Sequence, residues 1–335
     1  VETVTIAVAH LTTQIRIDHA SAVYTAARAA REISAEVGLA EVLAERAAVI
    51  ASELASNIDK HASDGSLFVQ RSLAGPGVEV YAVDAGPGMA DLEHWRVDGN
   101  TTTKTLGTGL GAIGRLATEF RIRSAAGHGT VAAARILAPG TAPTSVAHIR
   151  SACEGEERCG DAIALSTAPG ARTVAVVDGL GHGPEAADAA DIAIDVFRRS
   201  PGRPLPEHLT AIHRALRQTR GAAVALARIH ADRLEFCGVG NVGGLVLTAG
   251  RTHPLLSMPG VVGFALPATH LRVVPLAEHD LIVLHTDGIG TGWRGPAALD
   301  LLPVPTLLAA ELANRHRDPH DDAALIALRP GVNTP

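Results

Sequence analysis

The sequence predicts a two-domain α/β protein, and three observations support that class. At 335 residues the chain exceeds the size at which a single hydrophobic core usually stops growing. Helix-like and strand-like periodicities alternate along both halves. Between the halves, LAPGTAPTSVAH (137–148) replaces the periodic pattern with Pro, Gly, Ser and Thr, which marks a linker over 139–147. The expected layout is a first domain over 1–138, a second over 148–330 and a disordered tail over 331–335.

The first domain reads as strands at 3–9 and 13–17, then Ala-rich helical stretches at 20–37 and 39–61. Strands follow at 67–73 and 78–84, then a Gly-rich loop, a helix over 109–119, and closing strands at 120–125 and 130–137. Past the linker, strands at 161–167 and 172–178 lead into helices over 184–199 and 205–219. Strands then dominate, at 222–230, 232–239, 243–248, 271–276, 280–286 and 323–328, with a helix over 304–315 between the last two.

Composition narrows the function. The net charge is −6, with both signs scattered and no basic block, which argues against nucleic acid or an anionic membrane as partner. No apolar run reaches the roughly 18 residues of a membrane span. The stretch VETVTIAVAHLTTQIRI lacks the basic start and cleavage site of a signal peptide, so the cytoplasm is the expected location. Cys153, Cys159 and Cys237 form no C-x-x-C pair and read as small buried side chains. Lysine occurs only at 60 and 104; Lys104, in a glycine-rich loop, suits a mobile charge that closes over phosphate.

On the helix AAVIASELASNIDKHA (47–62), Glu53, Asn57 and His61 recur every four residues and share one face. Taken alone, such a stripe is equally a solvated surface. Downstream, Asp84 ends a strand before AGPGM, and TTTKTLGTGLGAIGRLA brings Gly107, Gly109, Gly111 and Gly114 into a helix start. Free amides and the positive dipole end there suit phosphate, although the spacing matches neither the Walker A nor the Rossmann pattern.

The order E-L-x-x-N-x-x-x-H-A, D-x-G-x-G, G-T-G-L-G resembles the GHKL ATPase family over residues 1–137. Within it, DAGPGMADLEHWRVDGNTTTKTLGTGLGAIGRLATEF is most similar to the serine/threonine switch kinases of the bacterial stressosome. The resemblance implies an α/β sandwich with a mixed sheet and helices on one face, binding ATP with magnesium. It implies that Asn57 holds the magnesium, Asp84 accepts from the adenine amino group, and Gly86 and Gly88 shape the purine pocket. Gly107, Gly109 and Gly111 would lie against the phosphates, with Lys60, His61, Lys104, Thr108 and Leu110 completing the nucleotide set. Glu53, one helical turn before Asn57, is the candidate catalytic base for an attacking hydroxyl. Histidine kinases lack a Glu there, so its presence favours a Ser or Thr acceptor.

In the second half acids border strands at four places: Asp161 in CGDAIALS, Asp178 in VVDGLGHG, Asp287 in HTDGIGTGW, and Asp321 with Asp322 in PHDDAALIALRP. Brought together, such carboxylates repel one another and call for oxygen-liking cations, magnesium or manganese. A metal pair can activate water for attack on phosphorus. The pattern resembles the SpoIIE-like branch of the PPM serine/threonine phosphatases over 146–330, with TRGAAVALARI and CGVGNVGGLVL similar to its central strand and Gly-Asn turn.

That resemblance implies an α-β-β-α sandwich in which catalytic Asp178 bridges two ions, helped by the Gly179 carbonyl, and Asp161, Asp287 and Asp321 complete the metal shell. Ala324 stands where the family often has Thr, with an expected effect on strand packing. His182 is offset from the histidine of eukaryotic relatives and is a weak candidate acid.

Together the resemblances imply a bifunctional stress-signalling switch that phosphorylates Ser or Thr of STAS-domain proteins (stressosome scaffold or anti-anti-sigma) and dephosphorylates them. The downstream partner would be a regulator or sigma factor. Two alternatives stand beside it: an anti-sigma-factor-like binding module, or an ATP sensor, fused to the phosphatase.

Overall fold

The structure is a computed structural model, and it describes residues 4–62, 64–89, 109–142, 144–248, 251–294 and 304–331. In chain order, β1 (Thr5–Val8), β2 (Thr13–Arg16), α1 (Ala22–Glu36), α2 (Glu41–His61), β3 (Gly65–Arg71) and β4 (Gly77–Asp84) come first. Next are α3 (Leu110–Leu116), β5 (Glu119–Ser124), β6 (Thr130–Leu137), β7 (Val146–Ser151), β8 (Asp161–Ala168) and β9 (Ala171–Gly179). Then come α4 (Pro184–Arg199), α5 (Leu205–Ala215), β10 (Ala222–Ile229), β11 (Arg233–Val239), β12 (Gly243–Thr248) and β13 (Arg251–Leu255). The chain closes with β14 (Arg272–Pro275), β15 (Leu281–His285), α6 (Pro305–Arg315) and β16 (Ala323–Leu328).

Contacts divide the chain into one unit of Thr12–Thr144 with Thr306–Arg315, and another of Val1–Leu11, Ser145–Pro305 and His316–Pro335. The expected boundaries therefore need correcting in two places. β1 belongs to the second unit because it pairs antiparallel with β8, Thr5 opposite Thr167 through Val8 opposite Ala164. Backbone pairing, not closeness in sequence, decides membership. α6 groups with the first unit, where Arg315 Nη2 donates to the His128 carbonyl at 3.3 Å. The expected linker over 139–147 is also too long, since β7 starts at Val146 and pairs with β16. The tail expected over 331–335 lies, beyond residue 331, outside the described residues.

In the first unit, α1 buries Ala22, Ala26, Ala29, Ala30 and Ile33, a stripe at helical spacing. α2 buries Ala47, Ala48, Ile50, Ala51, Leu54, Ala55 and Ile58. Gly38, at φ +72°, supplies the left-handed residue that ends α1 and turns the chain toward α2. Both helices pack on a sheet face made by Ile15, Leu67, Val69, Val80, Ala82, Ala134 and Ile136.

The sheet runs β2-β3-β4-β6-β5, and every pairing is antiparallel where a mixed sheet is expected. Connectivity explains it. Two helices, not one, return the chain from β2 to β3, and β6, folding back from β5, inserts between β4 and β5. On the opposite face Arg135 pairs with Glu79 at 2.9 Å, both buried, and also reaches Glu119 at 3.1 Å. Those two carboxylates hold the Arg135 guanidinium charged despite its burial.

The second unit holds two antiparallel sheets, β1-β8-β9-β10-β11-β14 and β13-β12-β15-β16-β7. They meet where β8 and β9 face β7 and β16. α4 and α5 cover the first sheet: Ala189, Ala190, Ala193, Phe197, Leu209 and Ile212 pack on Ala162, Ala164, Ala175, Val177, Val224 and Leu226. α4 begins sharply because Gly183, at φ +78°, turns the loop and Pro184 presets the first helical residue.

Candidate nucleotide and metal sites

In the first unit Glu53 and Asn57 are half-buried on α2, while Lys60 and His61 are exposed at its C-terminal end. β4 delivers Asp84 to the same place, because a Cβ on Gly86 would lie 2.9 Å from both Asp84 Oδ1 and the His61 carbonyl oxygen. The Gly86 amide donates to Asp84 Oδ1 at 2.8 Å. Burial raises the Asp84 pKa, and hydrogen bonds from the Gly86 amide and from the Thr130 amide and hydroxyl pull it back down. The result is a half-buried acceptor with capacity left for a donor such as an amino group.

Gly88 is required as glycine: at φ +65° a Cβ there would sit 2.0 Å from the Ala125 carbonyl oxygen. The turn it forms is held by the Met89 amide to Ser124 Oγ at 2.8 Å and the Gly127 amide to the Pro87 carbonyl at 2.7 Å. α3 starts after Gly109, and Leu110 and Gly111 occupy its half-buried first turn. Lys104, Gly107 and Thr108 lie outside the described residues. The described residues fit a nucleotide through a carboxylate acceptor, an amide side chain and a glycine-flanked helix start.

In the second unit Asp161 and Asp178 face each other in register across β8 and β9. Asp161 is buried; burial, the facing Asp178 carboxylate and the more distant Asp322 and Asp287 charges push its pKa well up. Its Oδ2 accepts from Thr286 Oγ1 at 2.5 Å, a bond that crosses from one sheet to the other. Asp178 is pushed up to about 8 by burial and by Asp287 and Asp321. Its buried Oδ2 has no hydrogen-bond partner.

Asp287, at the end of β15, is exposed and accepts from Asn241 Nδ2 at 2.6 Å. Burial and the Asp287 charge raise Asp321. Asp322 has a different task, because its two oxygens accept the Cys153 amide at 2.8 Å and the Gly160 amide at 2.7 Å. The Gly179 amide donates to the Gly160 carbonyl at 3.0 Å. His182 is exposed, with Nδ1 3.0 Å from Glu156 Oε1. All three cysteines are free and buried.

The expected convergence therefore needs qualifying. Asp161 and Asp178 stand in one sheet and Asp287 and Asp321 in the turns beside β15 and β16 of the other, and among the described residues no three His, Cys, Asp or Glu side chains gather tightly enough to hold an ion alone. The donor chemistry still fits a hard divalent cation, which keeps several waters and needs few protein oxygens per ion, and the unpartnered Asp178 oxygen faces that need directly.

Residues 18–136 match the histidine kinase-like ATPase domain, and residues 169–330 match the stage II sporulation protein E (SpoIIE) family. The chain joins a histidine kinase-like ATPase domain to a SpoIIE domain. The serine/threonine-protein kinase RsbT of Bacillus subtilis is 35% identical over 102 residues, 30% of this chain and 77% of RsbT. A chain from a solved structure described as the bacterial stressosome, a modular system that has been adapted to control secondary messenger signalling, is 36% identical with a TM-score of 0.51. That match covers 56% of this chain and all of the other. RsbX in complex with magnesium shares the fold at 19% identity and a TM-score of 0.50, over 56% of this chain and 94% of RsbX. Among the described residues no helix is long and apolar enough to cross a membrane.

The ATPase unit brings the end of α2 against the Asp84 turn, and the SpoIIE unit brings Asp161, Asp178, Asp287 and Asp321 into mutual electrostatic reach. Four polar supports lie outside the site residues legible in the sequence: Ser124 and Thr130 around Asp84, and Thr286 and Asn241 around the carboxylates. Thr286 directly precedes Asp287, and Asn241 lies in the Gly-Asn turn, so only these two had a local signal. Ala324 is fully buried, and its amide donates to Thr286 Oγ1 at 2.9 Å, so its backbone holds the hydroxyl that supports Asp161.

Proposed function

We propose that the protein is a bifunctional switch enzyme. Its ATPase unit phosphorylates Ser or Thr on STAS-domain proteins with ATP, and its SpoIIE unit hydrolyses the same phosphomonoesters. The observation that carries this reading is that a relative of a serine/threonine kinase and a SpoIIE unit with in-register aspartates occupy one chain. Joining opposed activities gives each a high effective concentration at a shared target.

In the ATPase unit, Asp84 accepts from the adenine amino group and Asn57 would hold magnesium, which when bound offsets phosphate charge. Glu53 takes the proton of the attacking hydroxyl as the γ-phosphoryl passes to its oxygen and ADP leaves. Positioning supplies most of the rate, and the tight Gly86 and Gly88 turns fix Asp84 for it.

In the SpoIIE unit, Asp161, Asp178, Asp287, Asp321 and the Gly179 carbonyl would hold magnesium or manganese, which when bound supplies an activated water and counter-charge. Thr286 orients Asp161, and Asn241 orients Asp287. The water oxygen joins phosphorus as the bond to the seryl or threonyl oxygen breaks, and that oxygen leaves protonated. The STAS substrate rests on likeness to RsbT and the stressosome chain. In this scheme the phosphorylated scaffold releases a partner, a regulator or sigma factor, that the unmodified scaffold holds.

Phosphate-affinity gels of a STAS protein encoded beside this one test the reading. With ATP and magnesium the wild type should add phosphate, and with manganese after ATP removal it should clear it. Glu53→Ala should abolish labelling, and phosphate should persist on the target with Asp178→Asn. Unchanged labelling by Glu53→Ala would refute its role. Clearance of pre-phosphorylated target with no labelling at all would leave the ATPase unit as a nucleotide sensor.

A further inference from the structure

Four carboxylates at one end of the SpoIIE sheets present a problem for a phosphomonoester, which arrives as a dianion. Asp161, Asp178, Asp287 and Asp321 would hold cations that offset the acids, and the phosphoryl oxygens would need donors of their own. We infer that Arg220 is the residue that binds the substrate's phosphoryl group in the SpoIIE unit, an assignment that rests on the phosphatase reading above.

Pairing register places Arg220 at the required end of the sheet. Gly179 stands opposite Ala222 and Asp178 opposite Ala223. One step further the Leu180 amide donates to the Gly221 carbonyl at 3.1 Å, so Arg220 comes alongside Gly181. Arg220 Nη1 lies 3.1 Å from where a Cβ on Gly181 would be. The guanidinium thus lies over the loop that leaves Asp178, and glycine at 181 leaves it room.

The backbone beneath Arg220 is fixed while its head is not. The Gly221 amide donates to Thr219 Oγ1 at 3.0 Å. A Cβ on Gly221 would meet the Val262 carbonyl oxygen at 2.8 Å, and the Ala222 amide donates to that same carbonyl at 3.0 Å. The Arg220 side chain is half exposed and pairs with Glu185, itself exposed in the first turn of α4. A pair of this kind contributes little to stability and exchanges readily for a phosphoryl group, whose oxygens match the planar guanidinium fork.

Nearby arginines are committed elsewhere. Arg150 donates to the main-chain oxygens of Ala9, Asp161 and Cys159. Arg317 donates to the Ala152 carbonyl.

The experiment uses the full chain saturated with manganese. It measures KM and kcat on a phosphoserine peptide, the affinity for inorganic phosphate, and the affinity for manganese by calorimetry. Arg220→Ala should raise KM and the phosphate dissociation constant by about tenfold or more, with kcat changed far less and manganese affinity unchanged. Arg220→Lys should recover part of the loss, because it keeps the charge but not the fork. Glu185→Gln, which frees Arg220, should tighten phosphate about twofold to fivefold.

Phosphate affinity and KM indifferent to Arg220→Ala would overturn the assignment, as would a loss confined to kcat or accompanied by weaker manganese binding. Phosphate binding is read without turnover. A wild type that binds phosphate through Arg220 but hydrolyses nothing therefore fails the phosphatase reading alone.

Discussion

VYAVDAGPG and VAVVDGLGHG (80–88 and 174–183) share one outline: an apolar strand, an aspartate and a glycine turn. The structure gives the two aspartates opposite surroundings. Asp84 is flanked across its sheet by Gly65 and Thr130, neighbours that bring no charge and one hydroxyl. Asp178 is flanked by Asp161 and Ala223, and Asp287 and Asp321 add their charges from the other sheet. Hydrogen bonds from Gly86 and Thr130 offset the burial of Asp84. Repulsion adds to the burial of Asp178 and outweighs a hydrogen bond from Asn241, and one of its oxygens has no hydrogen-bond partner. Cross-strand neighbours, more than the aspartate or its glycines, separate a base acceptor from a cation ligand.

The largest effect expected from this contrast is at Asp178. Asp178→Asn should lower manganese-dependent hydrolysis by about a thousandfold, since several kcal/mol of transition-state stabilisation depend on the metal. Its effect on the metal-free fold has the opposite sign. An acid ionising near 4 when unfolded and near 8 when folded withdraws stability as pH rises through that interval. Metal-free wild type should therefore lose thermal stability from about pH 4 to pH 8, and Asp178→Asn should flatten that loss. Manganese should raise the wild-type melting temperature at pH 7.5 and leave the variant's nearly unmoved. A metal-free variant melting below wild type at that pH would show that Asp178 is not held against repulsion.

Asp84→Asn comes second and should act on the other unit alone. Losing a charged acceptor for an amino donor should weaken ATP binding about tenfold to a hundredfold, as read by calorimetry, while the manganese response keeps its wild-type size. Equal damage to both responses would erase the distinction between the two turns.

Much of this was visible in the sequence, and the exceptions share a cause. Long helices such as α2 and α4, and buried strands such as β10 and β16, carry runs that periodicity reads directly. β7 (VAHIRS) emerges from a Pro-, Thr- and Ser-rich linker and, among the described residues, pairs with β16 alone, so its short pattern hides among turn residues. β13 (RTHPL) is an edge strand with four exposed residues and a proline, tolerated because one side needs no ladder. The division of the sheets follows the same logic. Asp161 and Asp178 sit in strands of one sheet, whereas Asp287 follows β15 and Asp321 precedes β16 of the other, and only the strand pairing records that division. The acids were legible because their chemistry is strong, whereas Ser124 and Thr130 act by position, which a single sequence does not encode locally.

The smallest effect tests the neighbour argument most directly. Thr130→Val keeps the shape of the side chain and the β6 amide but removes the hydroxyl that helps hold Asp84 ionised. That hydroxyl also lies 2.9 Å from Ser124 Oγ, which accepts the Met89 amide, so its loss loosens the turn at a second point. One hydrogen bond of this kind is worth about 0.5–1.5 kcal/mol. ATP affinity should fall about threefold to tenfold, with the metal response of the SpoIIE unit intact. The Asp84 pKa should rise further, so the loss should be greatest at acid pH, where the valine variant protonates first. An affinity ratio between wild type and variant that stays constant from pH 5 to pH 8 would assign the effect to packing and break the link between Thr130 and the charge of Asp84.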